Sequence, residues 1–306
     1  MIALIFPGQG VPLVGAGAPW VGDPAWEAVH EVERATGVPL EGPLLGDCDD
    51  GDKQLMLFAL EMVAWRRWEA DHGLQHVVGI AGHSLGQLAA LVASDAVALG
   101  EMACLVAERS RLTSLAAHAN PGAMSVVLRW PLAHVEAVVA STAGPGCWIA
   151  NDNSPEQCVI AGHPAHVAEV ERGLVQPGHT VARLPIDGAF HTPFMQDAAS
   201  SLARAAEHLH TSAPRVPIVL NATAACVTSR SGWPRRLGDH LVKRVEWRRS
   251  LERLSRMGAH TFVQLGPGRT LVGLVRRTLP TASTFALSPP AETDTALRVL
   301  RTGPVR

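Results

Sequence analysis

A serine set between two glycines raises the first chemical question. It lies in Gly82-His83-Ser84-Leu85-Gly86, within the stretch GIAGHSLGQLAALVAS at 79–94. Val77, Val78, Ile80 and Ala81 ahead of it suit a short buried strand, and Leu88, Ala89, Leu91 and Val92 after it recur at helical spacing. Strand, tight turn and helix form the setting in which G-x-S-x-G lifts a serine oxygen onto a strained corner, with the glycines leaving room around it. Taken alone, the pattern fits a reactive serine and a serine in an ordinary turn equally. A serine hydroxyl becomes a nucleophile when a base takes its proton, and the chain holds 14 histidines. His191, in DGAFHTPFM, follows a strand end and begins a helix. From there a side chain can reach into a cleft, or cap the helix. No aspartate between Ser84 and His191 has the setting of a third triad member, and Asp187 reads as a solvated loop residue. Acyl chemistry also needs oxyanion donors: the N–H of Leu85 is one candidate, and the corner Gly8-Gln9-Gly10 after the first strand has the form to supply another.

The elements that must position these residues follow from the hydrophobic pattern. Strand 2–6 leads into the glycine corner, residues 11–23 form a loop, and helices are expected around 24–35, 53–73 (closed by Gly73) and 99–118. From 123 the texture changes to strand 123–128, helix 131–141, strands 147–152 and 157–162, helix 164–174 and strand 179–186. This β-α-β-β-α-β order is the ferredoxin-like arrangement. The fold class expected is α/β, a hydrolase-like parallel-sheet domain formed by 1–122 and 189–306, with 123–188 inserted as a ferredoxin-like subdomain. After the insert come helix 192–209, strand 217–222, an Arg-rich helical stretch, strand 261–265, the turn Gly266-Pro267-Gly268 and a last helix. From about 288 the Pro- and Thr-rich tail reads as peripheral.

Composition narrows the class. The chain has 306 residues, 47% of them hydrophobic and 18% charged, enough for a substantial core and against extended disorder. No apolar run approaches the roughly 18 residues of a membrane span. The start, MIALIFPGQG, lacks a basic leader region, so a cytoplasmic protein is expected. Five scattered cysteines without a C-x-x-C pair read as reduced core residues, with no metal site implied. A formal net charge of −2 makes no case for nucleic acid.

Six motifs in order carry a resemblance: FPGQG, GHSLG, AERSRL, NDNSPEQCVIAG, GAFHTPFM and LGPGRTLVGL. Over about residues 1–280 the chain resembles the malonyl-CoA:acyl carrier protein transacylase family, including the acyltransferase components of polyketide synthases. The resemblance implies Ser84 as the nucleophile of an acyl-enzyme ester and His191 as a base oriented mainly by backbone carbonyls. Gln9 and Leu85 would supply the oxyanion N–H groups. Arg109 would hold the free carboxylate of a malonyl group, a task that suits a planar guanidinium fork. Gln54, Asn153 and His240 would lie beside the site, with Phe190 crowding any 2-methyl branch and so favouring malonyl. It further implies malonyl-CoA and a holo acyl carrier protein as partners and no cofactor. The chain departs from the family pattern at Val11 and Pro12 after GQG, in KQLML, at Gln87, and at His240 where glutamine is frequent. These departures bear on the acyl group and suggest a specialised, discrete acyltransferase serving a polyketide assembly line at least as much as a fatty-acid housekeeping enzyme. An acidic carrier protein needs a basic face, and 229–256 offers one rich in arginine; Arg248 and Arg249 are the docking candidates, against a merely solvated helix face. The competing functions are a hydrolase that clears stalled acyl groups, a transferase for another acyl unit, and a docking module without catalysis.

Overall fold

The computed structural model describes residues 1–47, 51–142 and 144–288. Its strands are β1 (Ile2–Phe6), β2 (Val77–Gly82), β3 (Ala123–Leu128), β4 (Cys147–Ser154), β5 (Gln157–Gly162), β6 (Thr180–Arg183), β7 (Ile218–Val219), β8 (Cys226–Val227), β9 (Thr261–Leu265) and β10 (Ser283–Leu287). The helices are α1 (Glu27–Thr36), α2 (Glu41–Leu45), α3 (Lys53–Asp71), α4 (Gly86–Ala93), α5 (Leu99–Ala119), α6 (Leu132–Thr142), α7 (Pro164–Leu174), α8 (Gln196–Ala205), α9 (Trp233–Val242), α10 (Trp247–Arg256) and α11 (Thr270–Thr278).

The larger sheet runs β10-β9-β1-β2-β7-β8 and is parallel except for the β7–β8 pair. Its centre is apolar on both faces, as a parallel sheet covered by helices on each side requires. In β1, Leu4 and Phe6 face the core shared with α3, α4 and α5, while Ala3 and Ile5 face Trp247, Leu251 and Phe262. The smaller sheet, β4-β5-β3-β6, is wholly antiparallel and ferredoxin-like, with Val135, Val167 and Val170 of α6 and α7 packed on one face. Met124, Val159 and Ala161 on its other side join the large core. β4 is stitched to the segment before α10 by Val245 N–H to Ala150 O, 2.8 Å, and Asp152 N–H to Val245 O, 2.9 Å. That seam carries the small sheet against the nucleophile's turn.

Several elements differ from the sequence pattern for identifiable reasons. β7 is two residues long because Asn221, just beyond it, gives its N–H to the Gln87 side chain instead of a neighbouring strand. β6 ends at Arg183, two residues short of Pro185, which has no N–H to give. The expected helix 192–209 is α8 flanked by single 3-10 turns, the first opened by Pro193 and capped by Thr192 Oγ1. β10 and α2 were not foreseen. The cysteine expectation is corrected in part: Cys147 and Cys158 are buried, but Cys104 is exposed and Cys226 half-buried, while Cys48 lies outside the described residues. Among the described residues no helix is long and apolar enough to cross a membrane.

Candidate active site

Ser84 sits at the β2–α4 corner with φ 48°, a left-handed conformation that places its side chain off the helix axis. A Cβ on Gly82 would fall 1.9 Å from Gly86, and one on Gly86 2.4 Å from the Phe6 carbonyl oxygen, so the turn closes this tightly only with glycine at both places. Asn221 locks the corner. Its Oδ1 accepts from the Ser84 N–H at 2.6 Å and its Nδ2 donates to the Gly82 carbonyl. Its own N–H donates to Gln87 Oε1 at 2.8 Å. A Cβ on Gly8 would lie 2.8 Å from the His83 carbonyl and 3.4 Å from Ser84 Cβ, so the Gly8-Gln9-Gly10 corner abuts the nucleophile. Gln9 is exposed there; Leu85 is buried at the N-cap of α4, where N–H groups lack intrahelical acceptors.

His191 reaches the serine from the opposite side of the site. Its Nε2 is 2.8 Å from Ser84 Oγ, and its Nδ1 is 3.0 Å from the His240 carbonyl. A carbonyl only accepts, so Nδ1 carries the proton and Nε2 presents its lone pair to the serine hydroxyl. The His191 N–H also donates to Leu241 O, 2.9 Å, and both acceptors are last-turn carbonyls of α9 that the helix leaves unused. His191 itself has φ 61°, so both members of the Ser–His pair sit in left-handed backbone held by their neighbours. Burial first, then the Arg109 and His83 charges, push its imidazole down to about 3, so it is neutral across ordinary pH.

Arg109, on α5, is fully buried. One terminal nitrogen donates to Gln54 Oε1, whereas Nε and Nη2 have no partner among the described residues. Burial lowers its guanidinium to about 10, countered by Asp52, so it stays charged at neutral pH. The unpaired Nε/Nη2 edge presents two parallel N–H groups, a geometry that matches the two oxygens of a carboxylate.

Two sequence expectations are refined here. Gln54, set beside the site by the resemblance, accepts from Arg109 at Oε1 and donates from Nε2 to Thr113 Oγ1 at 3.1 Å. It thereby braces the guanidinium of Arg109. Asn153 Oδ1 likewise accepts from His83 Nε2 at 2.8 Å, and that imidazole packs edge-on to Trp247 at 5.3 Å, so Asn153 braces the residue beside the nucleophile. Phe190 is buried beside His191 with its ring edge against Gly188. His240 is buried, and neither ring nitrogen has a partner among the described residues.

The basic face is also revised. Arg248 donates from Nε, 3.0 Å, and Nη2, 2.9 Å, to Asp152, a buried carboxylate on β4. Arg244 bridges Glu136 and Glu246, both at 2.7 Å. These two arginines tie the sheets together, and only Arg249, 3.6 Å from Glu246 and largely exposed, stays accessible as a docking candidate from the original pair.

Asn221 and Gln87 went unrecognised in the sequence as site residues. Gln87 stood out as a departure and Asn221 ended a strand, but nothing in one dimension brings a residue 137 positions away onto the Ser84 N–H.

A parallel sheet with a ferredoxin-like insert, and a strained serine paired with a histidine, define an enzyme class that works on acyl groups. The chain matches the family described as "Acyl transferase domain" over residues 46–299. It is 31% identical to the malonyl CoA-acyl carrier protein transacylase of Salmonella typhimurium, over 96% of this chain and 98% of that protein. Among solved structures, the malonyl-CoA:acyl carrier protein transacylase of Xanthomonas oryzae superposes with a TM-score of 0.89 at 32% identity, covering 97% and 98% of the two chains. A malonyl-transacylase solved in complex with a type II polyketide synthase acyl-carrier protein matches with a TM-score of 0.91 at 27% identity, over 97% and 99%. The chain belongs to the malonyl-CoA:acyl carrier protein transacylase family.

Proposed function

We propose that this protein is an acyl carrier protein S-malonyltransferase that moves malonyl from malonyl-CoA to a carrier-protein phosphopantetheine thiol, serving fatty acid or polyketide synthesis. The observation that carries the choice of acyl group is Arg109, a buried, charged guanidinium with one edge unpaired, whose charge acts directly on His191. Asp52 offsets part of the charge but no group pairs with the Nε/Nη2 edge, and an acyl group ending in a carboxylate would fill it. The bulky Phe190 next to His191 would crowd a 2-methyl branch and so favours malonyl over branched units.

In the first half-reaction Ser84 Oγ attacks the thioester carbonyl while His191 Nε2 takes its proton, and the N–H groups of Leu85 and Gln9 receive the oxyanion. The tetrahedral intermediate collapses, the C–S bond breaks, and the imidazolium returns the proton to the CoA sulfur. In the second, His191 takes the proton of the carrier thiol, the thiolate sulfur attacks the ester carbonyl, and Ser84 leaves reprotonated. Bound carboxylate offsets the Arg109 charge that holds His191 low, so the base strengthens when a carboxylated acyl group is seated. The His240 carbonyl holds the ring in the tautomer both halves require. The same reading sets the protein in the cytoplasm, with a CoA thioester and a carrier protein as its partners.

The test is intact-mass analysis of the protein with a panel of acyl-CoAs, with and without holo carrier protein. One malonyl on Ser84 followed by transfer to the carrier supports the reading. Release to water without transfer identifies a hydrolase, and loading of another acyl unit in preference to malonyl overturns the substrate assignment.

A further inference from the structure

Among the described residues, His240 is a side chain packed on the catalytic pair whose ring nitrogens have no partner. Its carbonyl orients His191, but its imidazole is buried with neither Nδ1 nor Nε2 partnered among the described residues. Buried polar atoms without partners are disfavoured, and an aliphatic side chain would fill the same space without that penalty. The ring stands edge-on to His191, centroids 5.7 Å apart at 86°. It cannot serve as a second base for the serine, because Ser84 Oγ is already engaged by His191 Nε2.

We propose that the His240 imidazole is a second hydrogen-bonding group of the acyl-carboxylate subsite, donating one N–H to the carboxylate that lies on the unpaired edge of Arg109. This rests on the malonyl reading above. A carboxylate has about four lone-pair sites, and an arginine fork fills two, leaving room for one more donor. Burial and the charges around it, Arg109 foremost and then His191 and His83, keep His240 neutral, so it holds one N–H to give and adds no charge. A neutral donor next to a cation reads the shape of the acyl terminus without competing for the cation. The subsite thereby discriminates a carboxylate from an acetyl methyl group by two residues on two helices, α5 and α9.

The test uses His240→Leu and His240→Gln in the full chain, loading Ser84 from malonyl-CoA and from acetyl-CoA in separate single-turnover runs. Leu removes both polar nitrogens at similar volume, and its malonyl kcat/KM should fall about 10- to 100-fold, chiefly through KM, as loss of a hydrogen bond to a charged group predicts. The malonyl-to-acetyl ratio should fall by the same factor, with Tm unchanged or higher. Gln keeps an N–H donor and should stay within about fivefold of the parent. Equal losses for malonyl and acetyl in the Leu variant, or Gln as impaired as Leu, would overturn the proposal. Should Leu fail to fold, the same ratio measured for His240→Met against His240→Gln decides it. A parent protein that takes no malonyl sinks the functional reading itself; a parent that loads malonyl, with an unmoved ratio in the variants, sinks only the role of His240.

Discussion

The two ends of the site are built on opposite principles. At the nucleophile end the polar groups are spoken for: the Ser84 N–H by Asn221, its hydroxyl by His191, and the His191 ring and backbone by two carbonyls of α9. At the proposed acyl end, the Nε and Nη2 of Arg109 and both nitrogens of His240 are buried and without a partner among the described residues. A satisfied network fixes positions before substrate arrives, which is where geometry controls rate. An unsatisfied one waits for the ligand to complete it, which is where chemistry controls selectivity. Substitutions at the first end should therefore depress every acyl donor alike, and those at the second should separate one donor from another.

The largest expected effect tests the first half of that contrast. Ser84→Ala or His191→Ala should lower loading from malonyl-CoA and from acetyl-CoA by about 10⁴-fold or more, and the double variant should be little worse than either single one, because the pair acts as a unit. Rapid-quench loading followed by mass analysis measures this. A His191 variant that keeps acetyl loading while losing malonyl would place it at the wrong end.

Next comes Arg109→Ala, with malonyl loading expected to fall about 100-fold or more relative to acetyl, since it removes the partner of a buried charge. Arg109→Lys should not rescue it, because an ammonium cannot make the paired fork. The same variant has a pH signature. Arg109 disfavours the His191 imidazolium, so removing it favours protonation, and the acid limb of acetyl loading should move to higher pH. An unmoved limb would mean that the two ends are electrostatically separate.

That contrast also explains what one dimension can convey. The strand-turn-helix at Ser84 and the β-α-β-β-α-β run are local patterns, and β5, β9 and α7 fall on the expected residues because turn residues and Pro164 mark their ends. The Ser84–His191 encounter spans 107 residues and was legible only through ordered motifs, which compress the fold's long-range geometry into short signatures. What stayed hidden were the partners of partners. Gln54 looks like a site residue because it borders one, yet its hydrogen bonds go to Arg109 and Thr113. Arg248 looks like a free surface charge because its partner, Asp152, lies 96 residues away on another sheet. Reversing Arg248 to test docking would strand a buried carboxylate, so a docking test belongs at Arg249 alone.

A smaller effect is expected one step back from the nucleophile. Asn221→Ala leaves Ser84 and His191 in place but frees the Ser84 N–H and the Gly82 carbonyl. The loss should be about 10- to 100-fold in kcat, with KM nearly unchanged and malonyl and acetyl affected equally. A shift in the malonyl-to-acetyl ratio would contradict the division of labour between the two ends, since Asn221 touches only the rigid one.

Glu61 shows that an unpaired buried group is not by itself a ligand site. It lies mid-helix on α3, fully buried, with neither carboxylate oxygen partnered among the described residues, and its Cγ lies near the Gly266 turn. Burial alone raises its pKa well above the usual carboxylate range. In the unfolded chain the group ionises above about pH 4.5, whereas the folded chain keeps it protonated, so the native state binds the extra proton and loses stability as pH rises. Glu61→Gln removes the proton and with it that dependence. Its stability gain should be absent near pH 4 and should grow by about 1.4 kcal/mol per pH unit above 5, until the folded carboxyl itself ionises. Denaturant unfolding at pH 5, 6 and 7 measures the slope. The buried neutral imidazoles His83, His191 and His240 act in the other direction, costing stability as pH falls below about 6.5, but they are common to both proteins and cancel in the difference. Malonyl and acetyl loading should be unaffected in their ratio, because no hydrogen bond ties the Glu61 carboxyl to Arg109 or His240. A gain independent of pH would mean that Glu61 is ionised in the folded protein, with a partner still to be found.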